Sequence, residues 1–162
     1  MFEDLLLTYD PCANGEGGLQ YIEVVPAVAI QTMAIPSGLG FVGPLTLKSG
    51  WKWIRIEFDD NTSFYSEIDN DSTQGTSYEI RLGGFYPTDT QTVLEQLELM
   101  KLQYWVARAR DMDDRWRLVG NISQKLRLSS RKYEITTPLQ RRGFQIEFAG
   151  VFSRPALFDN RA

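Results

Sequence analysis

The chemistry open to this chain is bounded first by a residue it lacks. Histidine is absent, which removes the side chain most used for proton transfer near neutral pH and the commonest zinc ligand. Serine, threonine and a single cysteine, Cys12, supply hydroxyl and thiol groups, but nothing is spaced to activate them. Lysine can serve as the base instead, yet Lys48-Ser49 and Gln124-Lys125 form no such pattern. The expectation is a protein that is not an enzyme, with no catalytic residues, no cofactor and no metal.

Three further patterns come near to known chemistry. Asp69-Asn70-Asp71-Ser72-Thr73-Gln74-Gly75 resembles the opening of a calcium loop, but Gln74 stands where glycine is needed and Ile80 where a bidentate acid is needed. A polar loop over 69–76 is the expectation. Gly15-Glu16-Gly17-Gly18 and Gly38-Leu39-Gly40 lack the lysine and the following helix of a phosphate cradle, and read as turns. Arg108, Arg110, Arg115, Arg117, Arg127, Arg131, Lys132, Arg141 and Arg142 stand among Tyr104, Trp116 and Tyr133. Bases interleaved with aromatics can hold single-stranded nucleic acid on a β-face. Against that stands a sequence pI of about 4.9, where nucleic-acid-binding domains are commonly basic.

The net charge of −4 conceals an asymmetry. Residues 1–80 hold twelve acids and three bases, and residues 81–162 hold nine acids and fourteen bases. Either the halves neutralise one another inside one fold, or an acidic and a basic face meet between subunits, head to tail.

These residues must be carried by mostly extended chain. Residues 86–120 organise it: a helix over about 88–102, then a β-hairpin. Thr88 with Gln91 fits a capping box, and Val93, Leu94, Leu97 and Met100 make one apolar stripe. Period-two alternation marks strands at 18–25, 51–58, 62–68, 77–85, 104–110, 115–120, around 126–128, and 143–150, where Phe144, Ile146 and Phe148 share a face. Gly83-Gly84 is expected to bend the chain toward the helix. Residues 129–142 look exposed. Residues 26–50 are apolar but broken by proline and glycine; either short strands bury them within the monomer or a neighbouring subunit does. Eight or nine mostly consecutive strands with one helix predict an antiparallel β-sandwich or barrel flanked by that helix. Residues 1–17 form an irregular arm, and 18–162 a single domain.

At 162 residues one domain can bury a substantial core. With one cysteine no intrachain disulfide is possible. Apolar runs are broken far short of the roughly 20 residues that span a bilayer, so no membrane insertion is expected. Met1-Phe2-Glu3-Asp4 carries acids where a signal peptide carries lysine or arginine.

Several segments together resemble tail tube and related structural proteins of long-tailed bacteriophages, especially a divergent type associated with Bacteroidetes hosts. They are Gly17-Gly18-Leu19-Gln20-Tyr21-Ile22, Phe64-Tyr65-Ser66-Glu67, Gly75-Thr76-Ser77-Tyr78, the helix start at Pro87, residues 114–120, residues 142–150 and Pro155-Ala156-Leu157-Phe158. The resemblance implies a β-sandwich or barrel flanked by one helix. It further implies hexameric rings stacked into a tube within the virion tail, assembled in the bacterial host cytoplasm with other tail proteins and conducting phage DNA. A tube that passes DNA without holding it needs few bases on its lumen, and Asp59, Asp60, Glu67 and Glu79 are the lumen candidates. Pro36, Phe41, Val42, Arg141 and Arg142 are the subunit-interface candidates. Deleting residues 1–16, or reversing Arg141 and Arg142, is then expected to weaken assembly more than folding. A tail terminator or head–tail connector, forming a single ring, is the alternative within this class. A monomeric β-barrel module binding nucleic acid or a ligand is the alternative outside it.

Overall fold

Alternation of apolar side chains sorts the strands into two antiparallel layers. The computed structural model describes residues 2–4, 18–34, 44–59, 61–112, 114–135 and 142–159. The first layer contains β1 (Leu19–Pro26), β4 (Ile54–Ile56), β7 (Trp105–Asp111), β8 (Trp116–Val119) and β11 (Leu157–Asp159), in the order β11-β8-β7-β1-β4. The second contains β5 (Phe64–Ser72), β6 (Gly75–Tyr86), β9 (Arg127–Glu134) and β10 (Gly143–Phe152), in the order β5-β6-β10-β9. A small hairpin of β2 (Ile30–Met33) and β3 (Leu45–Leu47) stands apart. The chain is mainly β with a single α-helix, α1 (Gln91–Lys101), packed as a β-sandwich.

Ile22, Val24, Ile54, Ile56, Ala107 and Val119 of the five-stranded sheet meet Ile80, Leu82, Phe144, Ile146 and Phe148 of the four-stranded one in a single core. Val93, Leu97 and Met100 of α1 enter the same core, so the predicted stripe is the buried face. Trp105 lies fully buried beneath the helix, its indole N–H donating to the Met100 carbonyl at 2.9 Å. Leu126 bridges to Trp105 just before the chain enters β9, which ties the two sheets at one corner. A second, smaller core of Val25, Ile30, Val106 and Leu118 lies beneath the β2–β3 hairpin with Leu45, Leu47 and Trp53. Of the described residues of 26–50, Ala27, Ala29 and Ile30 are buried within the monomer, Leu45 and Leu47 partly so, and Val28 is 61% exposed.

Four expectations change. The helix cap is Thr90, whose hydroxyl accepts from the Val93 N–H at 3.3 Å; Gln91 turns instead to Glu95 at 2.8 Å. The polar stretch 69–76 is the end of the β5–β6 hairpin, paired Asp69↔Tyr78 through Ser72↔Gly75. The exposed segment after 129 is a strand as far as Glu134. Finally, the start of the N-terminal arm is docked. The Phe2 ring packs edge-on against Trp105 at 5.1 Å, the Asp4 carboxylate accepts the Arg55 N–H at 3.0 Å, and Glu3 accepts from Gln96. Deleting residues 1–16 would therefore strip the core as well as any contact with a neighbour.

Candidate functional site

Among the described residues, the outer face of the four-stranded sheet is more exposed than that of the five-stranded one. The inner residues of the four-stranded sheet fill the core, so Ser66, Ile68, Glu79, Arg81, Glu147 and Val151 face away from it. Arg81 sits between two carboxylates, 2.5 Å from Glu79 and 3.8 Å from Glu147. Ile68 and Val151 are 52% and 63% exposed. Both outside strands are long: β5 has nine residues and β9 has eight, and each pairs with one neighbour only among the described residues.

Of the lumen candidates, Glu79 lies on this open face. Glu67 points to the opposite side and is engaged within the subunit, accepting the Tyr65 hydroxyl at 2.7 Å and the Ala156 N–H at 3.1 Å. Asp59 is buried at 8% exposure in the turn before β5, where its carbonyl accepts from Thr62. Arg142 is exposed, with its Nε 3.7 Å from Asp89. Asp60, Pro36, Phe41, Val42 and Arg141 lie outside the described residues.

The basic residues do not form one track. Arg108 and Arg110 stand on the far face of the five-stranded sheet, with Arg55, around the buried Glu23. There the Arg108 guanidinium lies 4.5 Å from the Trp53 ring centre and 4.9 Å from that of Trp116, while Arg55 stacks on Tyr21 at 4.0 Å. Arg117 points the other way, toward Tyr65 and Phe158. Arg131 turns inward to pair with Glu98 of α1. Arg127, with Lys125 and Tyr104, and the exposed Lys132 lie along β9 at the edge of the four-stranded sheet. Guanidiniums scattered over separate surfaces cannot follow one nucleic-acid backbone, and Glu23 answers part of the charge asymmetry inside the monomer. The sequence does not show this cluster, because its members come together only through strand pairing.

The cleft lined by Asn121, Gln124, Arg154 and Leu157 encloses about 220 Å³, below the roughly 300–1,000 Å³ of ligand pockets. No described helix is long and apolar enough to cross a membrane.

The Tyr65–Glu67 pair gives the fold a pH dependence. Burial, then the hydrogen bond and charge of Glu67, push the Tyr65 hydroxyl well above the ordinary tyrosine value, while Arg117 pulls weakly the other way. Burial also raises Tyr86. Below the unfolded pKa of about 10 both states hold these protons; above it only the unfolded state releases them, so stability falls as pH rises. Urea midpoints measured from pH 8 to 11 are expected to drop above pH 10, and the drop should be shallower in Tyr65→Phe.

No family model, curated protein or solved structure matches the chain.

Proposed function

We propose that this protein is a structural subunit that assembles with copies of itself into rings, and that it serves as the tail tube subunit of a long-tailed bacteriophage. The observation that carries the self-assembly is the four-stranded sheet, whose two long outer strands have no second β partner among the described residues. Running through β5-β6-β10-β9 each pair is antiparallel, so β5 and β9 themselves run in opposite directions. Laying β9 of one copy against β5 of the next therefore continues the same antiparallel sheet with no break in its hydrogen-bonding pattern. A heterologous contact of this kind closes into a ring when its rotation permits, and closure removes two edges that would otherwise template aggregation. The tail tube assignment rests on the segments resembling that family, and the sandwich with one helix is the fold they imply. A tube would place the open sheet face, with Glu79, Glu147 and the intervening Arg81, toward its axis. Electron microscopy of the purified protein tests the reading. Stacked rings or tubes are expected; single rings would favour the terminator or connector, and dispersed monomers at high concentration would refute self-assembly.

A further inference from the structure

The five-stranded sheet ends on β4, a strand of three residues that pairs with β1 on one side. In an antiparallel pair, alternate residues bond to the partner strand and those between them turn their N–H and C=O outward. Arg55 is the residue of β4 turned outward. It stands opposite Glu23, and its N–H leaves the sheet to meet the Asp4 carboxylate at 3.0 Å. Lys52 steadies that carboxylate, its Nζ 3.6 Å from the second oxygen. Two further contacts fix the segment. The Phe2 ring packs on the fully buried Trp105, and the buried Gln96 of α1 donates to the Glu3 carbonyl at 2.6 Å. With Gln96 on one side and Arg55 on the other, residues 2–4 lie between α1 and β4.

We infer that residues 2–4 guard the edge of β4 against an extended strand of a second copy, and so direct copies to the edges of the four-stranded sheet. That direction rests on the self-assembly reading above, whereas the guard stands without it. An outward N–H on an edge strand is a template for another chain, and short strands and charged side chains are common ways of blunting it. β4 has both. Its outward N–H already meets a charged acceptor, which holds it more strongly than the neutral carbonyl of an incoming strand would. Such a strand would also disturb Phe2 on Trp105, because Asp4 and Phe2 belong to three consecutive residues. A heterologous contact uses two different patches of one subunit, so closing one edge is enough to stop this sheet from propagating. The outer strands of the four-stranded sheet are far longer, at nine and eight residues.

Two substitutions test the guard. Asp4→Ala removes the acceptor and leaves Phe2 in place; Asp4→Asn loses the same charge but keeps an oxygen for the N–H. The Asp4 side chain is 32% exposed, so thermal unfolding of both should stay near wild type. In dilute protein the Arg55 amide is expected to exchange about tenfold faster in Asp4→Ala than in wild type, and near the wild-type rate in Asp4→Asn. On concentration Asp4→Ala should form irregular aggregates in which that amide is protected again, while Asp4→Asn should behave as wild type. If Asp4→Ala exchanges and associates as wild type does, the guard is overturned and self-assembly through the four-stranded sheet stands. Faster exchange without association through Arg55 would overturn it too, as would equal association by both variants, which traces to the lost charge. If wild type never assembles, the self-assembly reading falls and the two variants still decide the guard. Should Asp4→Ala unfold, wild-type exchange decides: the Arg55 amide should be protected alongside those of Ile54 and Ile56, which pair with β1, and an Arg55 amide exchanging freely would overturn the guard.

Discussion

Replacing Glu23 with alanine is expected to lower the unfolding free energy by about 3–5 kcal/mol, the range for stripping one partner from a buried ion pair. Glu23 sits on β1, which is paired on both sides, at 6% exposure and answers two guanidiniums at once. Arg108 is the more dependent of the two. It is 18% exposed, bonds Glu23 through its Nε, and is held between Trp53 and Trp116, so it cannot turn to water without giving up both rings. Arg55, at 41% exposure, can rehydrate and should contribute less. Glu23→Gln keeps an acceptor for Arg108 and should lose only part of the stability. Urea unfolding followed by tryptophan fluorescence reads both losses, and a Glu23→Ala protein within about 0.5 kcal/mol of wild type would show that the aromatic layer holds the arginines unaided.

Gly83→Ala is expected to cost at least as much, by a different route. At this position β6 is paired on both sides, to Phe64 of β5 and Glu147 of β10. A β-carbon there would overlap the Ile146 carbonyl oxygen and stand 2.9 Å from the Ile146 carbonyl carbon and 3.0 Å from the Glu147 Cα. These are backbone atoms of a neighbouring strand, so no rotamer change relieves the clash. The β6–β10 ladder must part, and with it the central pair of the open sheet. A loss above about 4 kcal/mol places the change among the most damaging single substitutions, so poor soluble expression and a broad thermal transition are expected. A cooperative melt within a few degrees of wild type would contradict the close approach.

The same glycine shows where the sequence stops being readable. Gly83-Gly84 looks like a bend because two glycines weaken a strand, yet β6 runs straight through them to Tyr86. The reason lies in strands distant along the chain: Ile146 presses on Gly83 from one side of the sheet, and Phe58, 2.6 Å from a β-carbon at Gly84, presses from the other. Strands β1 and β10 were legible because one face of each is apolar and buried, and the helix stripe for the same reason. The hairpin beyond Ile68 was not, since a ribbon exposed on both sides shows no alternation. Thr88 and Thr90 both satisfy the chemistry of a cap, and only the geometry at Val93 separates them. The charge asymmetry of the two halves was visible, but its division was not. Glu23 and Arg108 are 85 residues apart and neutralise each other inside the monomer, whereas Asp69, Asp71, Lys101 and Lys125 remain on the surface.

Copies that join through the edges of the four-stranded sheet must protect those edges, and amide hydrogen exchange compares them in dilute and assembled protein. Amides of Phe64–Ser72 and Arg127–Glu134 are expected to gain strong protection on assembly while those of β6 and β10, already paired on both sides, change little. Assembled particles in which both edge strands exchange as fast as in the monomer, with new protection elsewhere on the fold, would contradict joining through these edges.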